Sequence, residues 1–190
     1  WTAEILRLSR SGVDFKLLKA LPSPAIGSRL AIAVAPTKQA SRIEELVQRG
    51  VEIGLTDLYL IKTQRTERDD FKTDRIERQS IACMKQCMRA DRLRIHSMQP
   101  LMTLCKSPLM KSYPHQYVGQ LHDNPPPLME QEVAGDTLIY IGPEGDFTPD
   151  EYQSMVSCGI KPITLGPYRL RTETAAMMAA MAVVNKRMIL

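Results

Sequence analysis

Residues 138–151, LIYIGPEGDFTPDE, decide the fold, because an apolar strand leads there into a glycine-bearing loop and then into a helix. The run Leu-Ile-Tyr-Ile predicts a strand buried on both faces, as in parallel sheets. Thr148 as N-cap, Pro149 at the first helical position and Glu151 three residues after the cap predict the helix start. Ligands bind at the carboxyl ends of such strands, so loop 142–147 is a candidate binding loop. A simple turn is the alternative, and neither a P-loop nor a GxGxxG motif is present.

A second loop of the same kind follows the next predicted strand, in residues 165–175, LGPYRLRTETA. A strand again ends at a Gly-Pro turn, and a helix again begins shortly afterwards. Arg169 and Arg171 add two cations to this loop, and Glu173 adds an anion. An ion pair between Arg171 and Glu173 that only fixes the loop is the alternative interpretation. If the two strands are adjacent, the two loops form one shared crevice.

The rest of the chain predicts strands alternating with helices, which is typical of an α/β sandwich with a mainly parallel sheet. The pattern predicts a natural boundary near residue 35, between a β-rich segment (1–35) and the α/β domain (36–190). The long charged helix is expected to bury Phe71, Ile76, Ile81, Met84 and Met88. The predicted strands are 2–9, 13–20, 29–35, 58–61, 93–95, 116–121, 137–141 and 161–165, and the predicted helices are 38–51, 70–89, 100–105, 149–158 and 172–188.

Composition excludes several classes of protein. The 190 residues are 44% hydrophobic and include four Cys, which excludes disordered, collagen-like and disulfide-rich chains. The longest uncharged apolar run, residues 175–184, is shorter than the roughly 20 residues of a membrane span. The first residues also lack the pattern of a signal peptide. Four Cys and three His without metal-ligand spacing predict no metal site, and free thiols favour a reducing, cytoplasmic location.

The net charge of +4 is concentrated in one stretch. Residues 62–94 hold ten basic and six acidic side chains, and the rest of the chain sums to zero. Such a concentration is typical of a surface that contacts a phosphate backbone. The alternative is a solvated helix with ion pairs one turn apart, such as Asp74–Arg78. The candidate residues for contact with a nucleic acid are Arg65, Arg75, Arg78 and Arg89.

The two loop motifs together resemble the paired signatures of the 16S ribosomal RNA uridine-N3 methyltransferase E family. This family belongs to the SPOUT superfamily of S-adenosylmethionine-dependent RNA methyltransferases. Weaker similarity extends upstream, so the resemblance covers roughly residues 36–190. Three positions depart from the family pattern: Asp146 stands where the family has a second glycine, Tyr168 stands at its first arginine position, and Lys85 stands where a glutamate is common.

The resemblance implies a SPOUT-type α/β sandwich with a deep C-terminal trefoil knot, preceded in residues 1–35 by a remnant of a PUA-like barrel. It implies a homodimer that acts on 16S ribosomal RNA in the small ribosomal subunit. The Ala/Met-rich face of the last helix (Ala176, Met177, Ala180 and Met181) suits either a dimer interface or the core. The residues expected to hold S-adenosyl-L-methionine are Ile141, Gly142, Pro143, Glu144, Gly145, Leu165, Gly166, Leu170 and Thr172.

The implied reaction moves a methyl group to N3 of a uridine, which must first lose its proton. A nearby cation favours the anionic base, at about 1.4 kcal/mol per unit of pKa shift. The catalytic candidates are therefore Arg171 and Arg169, with Glu173 beside them. Two alternatives stay open: a non-catalytic RNA-binding or ribosome-assembly protein that keeps the cofactor fold, and an α/β cofactor-binding domain unrelated to RNA.

Overall fold

The computed structural model describes residues 1–20, 27–68, 70–121 and 123–189. A six-stranded sheet, in which every neighbouring pair is parallel, has the order β5-β4-β3-β7-β6-β8. Its strands are β3 (Leu30–Val34), β4 (Asp57–Lys62), β5 (Arg94–Pro100), β6 (His115–Gly119), β7 (Thr137–Ile141) and β8 (Lys161–Ile163). The helices are α1 (Ala40–Ile53), α2 (Asp74–Gln86), α3 (Leu101–Cys105), α4 (Pro149–Ser157) and α5 (Thr172–Ile189). Two short 3-10 helices span Pro108–Ser112 and Leu128–Glu130.

Strand β3 lies at the centre of this sheet, and all five of its residues are buried. Its side chains alternate between two apolar clusters, one on each face of the sheet. Ile32 and Val34 pack with α1 and α5, whereas Ala31 and Ala33 face α3 and α4. Strand β7, for which the sequence predicts burial on both faces, is also buried along its whole length, so that prediction is confirmed. The assignment of β3 to segment 1–35 is wrong, because β3 pairs with β4 and β7 and belongs to the α/β sheet.

The first two predicted strands are present as β1 (Thr2–Leu8) and β2 (Val13–Lys19), and they form a hairpin as a separate antiparallel sheet. The pair Ile5–Phe15 is apolar, and the pair Glu4–Lys16 is oppositely charged. All residues of both strands are exposed. That this hairpin is part of a PUA-like barrel stays a prediction, as does the trefoil knot.

Helix α2 is shorter than predicted, because it begins at Asp74 after the N-cap Thr73 and ends before Cys87. Ile76 and Ser80 form its buried stripe. Ile81 follows Ile76 by five residues, or roughly 140° around the helix, and is 37% exposed. Met88 lies beyond the helix end and is 90% exposed. The expectation that Ile81 and Met88 are buried is therefore wrong.

Within the described residues, no helix is long and apolar enough to cross a membrane. Helix α5 is the longest apolar helix, and it packs along the central strand instead. Ala176 and Ala180 are fully buried in the core of the same chain, whereas Met181 is 51% exposed. The core interpretation therefore holds for the two alanines, and only the methionine side of this helix faces solvent.

Candidate functional site

A pocket of about 660 Å3 opens at the carboxyl edge of the sheet, where both glycine-bearing loops meet. All nine residues predicted to hold a cofactor line it, as do Arg65, Asp146, Tyr168, Arg169 and Arg171. The volume is in the usual range for small-molecule sites. The strands that carry the two loops are not adjacent, because β6 lies between β7 and β8. The expected crevice forms nevertheless across the end of β6, and residues 119–121 line it as well.

The sequence analysis does not predict residues 119–121 as part of the site. The feature that could have indicated them is a strand that ends in a glycine, Gly119, at the same edge of the sheet. A Cβ atom at Gly119 would lie 3.2 Å from the Ile141 Cδ1 atom, which is tighter than an ordinary contact. The absence of a side chain here keeps the gap between the two loops open. The order of strands in the sheet depends on long-range pairing, which motif spacing does not encode.

Loop 142–147 is a tight turn in which the Asp146 N–H donates to the Pro143 carbonyl at 2.9 Å. Asp146 has a φ of 62°, in the left-handed region that asparagine and aspartate tolerate better than other side chains. Its Oδ1 atom accepts from the Phe147 N–H at 2.7 Å. The departure from glycine at this position is therefore compatible with the loop, because the aspartate bonds to the backbone that follows it.

Gly142 is required by the packing inside the same loop. A Cβ atom there would lie 3.1 Å from Asp146 Oδ1 and 3.3 Å from the Phe147 ring. The loop then enters α4 through the predicted capping box, which is confirmed: Thr148 and Glu151 exchange side chain-to-backbone hydrogen bonds of 2.9 and 3.3 Å. The second Glu151 oxygen accepts from the Gln64 N–H at 2.7 Å. Helix start and loop are thus fixed together.

Hydrogen bonds tie the two loops to each other. The Thr172 hydroxyl donates to the Gly142 carbonyl at 3.0 Å, and Arg169 Nη2 donates to the Glu144 carbonyl at 2.7 Å. Arg42 on α1 lies 3.3 Å from a Glu144 carboxylate oxygen and 3.8 Å from one of Glu173. Arg42 had no signal in the sequence, because one arginine on a helix is not marked by any local pattern. These contacts make the pocket a preformed site.

Arg65, predicted as an RNA contact, is part of the pocket wall. Its Nη1 atom donates to the Gly145 carbonyl at 2.6 Å and approaches the Phe147 carbonyl at 3.5 Å. A Cβ atom at Gly145 would lie 3.2 Å from the Arg65 Cδ atom. The guanidinium therefore holds loop 142–147 in place from the β4–α2 connection.

The three catalytic candidates occupy different positions. Arg171 is exposed and lines the pocket, and its guanidinium bonds to no residue within the described part of the chain. Arg169 also lines the pocket, but it is held by the Glu144 carbonyl. Glu173 is 5% exposed, lies outside the pocket lining and faces Arg42. Arg171 is therefore the catalytic candidate whose charge is available to a bound molecule. Glu173 lies outside the pocket lining, where it faces Arg42.

The remaining RNA candidates lie on or near α2. Arg75 is 71% exposed and pairs with Glu44 at 3.0 Å, and Arg78 donates to the Asp74 carbonyl of its own helix. Arg89 is only 10% exposed, because it pairs with Asp91 and donates to the Val51 carbonyl at 3.0 Å. Arg75 and Arg78 therefore remain at the surface, whereas Arg89 fixes the chain after α2.

The pocket also offers unpaired backbone donors. The N–H groups of Leu165 and Leu170 donate to no residue in the described ranges, and both residues line the pocket. Apolar side chains such as Ile141 surround these polar groups, as is typical of sites for small organic ligands. In the described ranges, no three His, Cys, Asp or Glu side chains come close enough together to hold a metal ion.

Fold and pocket together define an α/β protein with a small-molecule site at the carboxyl edge of a parallel sheet. The sequence profile of the RNA methyltransferase domain matches residues 25–184, so the chain belongs to this family. The ribosomal RNA small subunit methyltransferase E of Rickettsia conorii is 26% identical over 183 residues, which cover 93% of this chain and 72% of the relative.

Solved structures agree with this assignment. A probable rRNA-methyltransferase from Porphyromonas gingivalis superimposes with a TM-score of 0.87 at 32% identity, covering 98% of this chain and 80% of the other. A ribosomal RNA small subunit methyltransferase E from Neisseria gonorrhoeae, bound to S-adenosyl methionine, gives a TM-score of 0.73 at 23% identity, with coverages of 82% and 65%. The second likeness concerns the fold.

Proposed function

We propose that this protein transfers a methyl group from S-adenosyl-L-methionine to N3 of a uridine in 16S ribosomal RNA. One observation carries the proposal: in a member of the RNA methyltransferase domain family, both glycine-bearing motifs line one pocket with Arg171, whose guanidinium has no partner among the described residues. The names of the relatives, which include small-subunit ribosomal RNA methyltransferases, support the choice of substrate.

The residues of the pocket fit this cofactor. Gly142 and Gly145 line the pocket, and the N–H groups of Leu165 and Leu170, which have no partner among the described residues, can donate to the polar edge of a purine. The side chains of Ile141, Leu165 and Leu170 can make apolar contacts with the faces of the purine ring. Thr172 holds the Gly142 carbonyl and keeps the two walls at a fixed separation. When bound, the sulfonium group of the cofactor supplies an electrophilic methyl group.

Arg171 supplies the charge that the uridine needs. N3 of uridine has a lone pair for attack only after its proton passes to solvent, and a cation within about 4–6 Å favours the anionic form that remains. Because the guanidinium of Arg171 has no partner within the described residues, its charge is not already neutralised. Arg169 and Arg42 contribute by positioning, since they hold Glu144 and thereby loop 142–147. A fixed alignment of nucleophile and methyl group lowers the barrier further.

The exposed arginines of α2 and the methionine side of α5 suggest the partners of this reaction. Arg75 and Arg78 are placed to contact the RNA backbone, and Met178 and Met181 form an exposed apolar patch that suits a homodimer contact. The proposal includes the trefoil knot, a PUA-like origin of the β1–β2 hairpin and action in the cytoplasm, where ribosomal subunits are assembled.

The test is methyl transfer to unmodified 30S subunits with labelled S-adenosylmethionine, followed by mapping of the product. A methyl group at N3 removes a base-pairing donor, so reverse transcription is expected to stop at the modified uridine. Calorimetry that shows no cofactor binding at millimolar concentration would contradict the proposal. Binding of both cofactor and subunits without transfer would instead support the non-catalytic RNA-binding alternative.

A further inference from the structure

Tyr168 lines the mouth of the pocket, yet none of the steps above uses it. Its side chain is 80% exposed. The chain has ten aromatic residues, all within the described ranges, and Tyr168 is the only exposed one after the N-terminal hairpin. The other aromatic residues of the α/β part are buried (Tyr59, Phe71, Tyr113, Tyr117, Tyr140 and Phe147) or half-buried (Tyr152). Core packing therefore does not explain this ring.

The segment that carries Tyr168 is held on both sides. Before it, Gly166 has a φ of 132°, and both its N–H and its carbonyl bond to the Thr164 hydroxyl, at 3.2 and 3.1 Å. Pro167 then restricts the backbone further, because its ring fixes φ. After it, Arg169 is bonded to the Glu144 carbonyl. The tyrosine hydroxyl has no hydrogen-bond partner among the described residues, so the ring is presented to solvent from an ordered loop.

We infer that the Tyr168 ring is a stacking platform for an RNA base at the mouth of the pocket; this inference rests on the proposed function. A uridine whose N3 is to enter the pocket must be unstacked from the rest of the RNA, and it and its neighbours then lose stacking partners. Aromatic rings beside arginines replace that stacking in single-stranded RNA recognition, since the cations attract phosphates and the ring accepts a base face. Tyr168 combines in this way with Arg171, which has no side-chain partner in the part of the chain that the structure describes.

The test compares Tyr168→Ala with Tyr168→Phe in the full chain. Binding to unmodified 30S subunits is measured at several KCl concentrations, and S-adenosylmethionine binding is measured by calorimetry. Tyr168→Ala is expected to weaken subunit binding by about 5-fold or more and to raise KM for the subunit rather than lower kcat. Tyr168→Phe is expected to match the wild type, because it keeps the ring. The salt dependence is expected to be unchanged, because the ring neutralises no phosphate.

Leu109→Ala is the matched control, since Leu109 is 45% exposed in the 3-10 helix that precedes β6, at the opposite edge of the sheet. Unchanged subunit binding by Tyr168→Ala would overturn the inference, while the proposed function would stand. The same holds if Tyr168→Ala weakens cofactor binding, because the ring would then contact the cofactor. Wild-type protein that binds no subunits would contradict the proposed function itself, and the inference with it.

Discussion

At the scale of single residues, the pocket is lined by three arginines in two kinds of environment. Arg65 bonds the Gly145 carbonyl and Arg169 bonds the Glu144 carbonyl, so both stabilise loop 142–147. Arg171 lines the same pocket without such a contact in the described part of the chain. Because the charge of Arg171 does not stabilise the loop, it is available to a bound substrate. This difference separates the two positioning arginines from the catalytic candidate.

Replacement of Arg171 by alanine is therefore expected to affect transfer and not cofactor binding. We expect kcat to fall about 100-fold or more, because one stabilising charge is lost in the transition state, while the dissociation constant for S-adenosylmethionine stays within about 2-fold. Arg171→Lys is expected to retain part of the activity through its charge. Arg169→Ala is the comparison, and it is expected to weaken cofactor binding as well. Equal losses of transfer and binding in Arg171→Ala would show that this arginine is structural.

The conformation of Asp146 makes a second prediction at this scale. Because its φ is 62°, Asp146→Gly is expected to unfold in urea with a free energy within about 0.5 kcal/mol of the wild type. Asp146→Val places a β-branched side chain in the left-handed region and removes the bond to the Phe147 N–H, so we expect a loss of about 2 kcal/mol. Similar losses for glycine and valine would mean that the carboxylate, and not the backbone conformation, stabilises the loop.

At the scale of secondary-structure elements, features that depend on neighbouring residues were predicted correctly, whereas features that depend on contacts between distant parts of the chain were not. Strand β7 has the predicted bounds and the capping box at Thr148 is confirmed, because both depend on neighbouring residues. The position of β6 between the two loop-bearing strands could not be predicted, since it is set by pairing across the chain. The predicted end of α2 is also wrong, because the spacing of apolar residues does not show where the helix stops packing against α1.

The end of α2 carries a strained residue. Met88 has a φ of 54° directly after the C-cap Cys87, and the Arg89 N–H donates to the Met84 carbonyl at 2.9 Å, as in a glycine-ended helix. Met88→Gly is therefore expected to raise the free energy of unfolding by about 0.5–1 kcal/mol in urea titrations. Lys85→Gly, inside the last turn, is the control and is expected to lower it by about 1 kcal/mol. A loss of stability in Met88→Gly would contradict the strain argument.

At the scale of the whole molecule, the two edges of the sheet are built differently. The carboxyl edge holds the open pocket, whereas partly buried polar contacts close the amino edge. Arg187 from the end of α5 donates to the carbonyls of Ser28, Val133 and Gly135 at 2.7–2.8 Å, and burial lowers the pKa of its guanidinium. These bonds attach the C-terminal helix to the starts of β3 and β7. The fold is thus fixed at one edge while the other stays accessible to ligands.

Asp57 is the buried charge of the amino edge and connects global stability to pH. Its side chain is 2% exposed. The carboxylate accepts two hydrogen bonds from Arg94, at 2.7 and 2.9 Å. It also accepts one from the Thr56 hydroxyl at 2.8 Å, and His96 Nε2 lies 3.0 Å from its Oδ1 atom. Burial by itself would raise the pKa of this carboxyl, but the bonds from His96, Arg94 and Thr56 outweigh burial and hold the pKa below its ordinary value of about 4. The folded state therefore favours the ionised form.

A depressed folded pKa means that the stabilisation by Asp57 is fully present above about pH 4 and is lost as the pH falls through the lower folded value. Asp57→Asn is expected to lower the free energy of unfolding by about 3 kcal/mol at pH 7, because it leaves Arg94 without its buried partner. In urea titrations from pH 7 to pH 3, the difference in free energy of unfolding between Asp57→Asn and the wild type is expected to shrink below about pH 4.

The control is Asp70→Asn, at an exposed position, which is expected to show no such difference. A difference that stays constant with pH would show that Asp57 acts through its shape and not its charge.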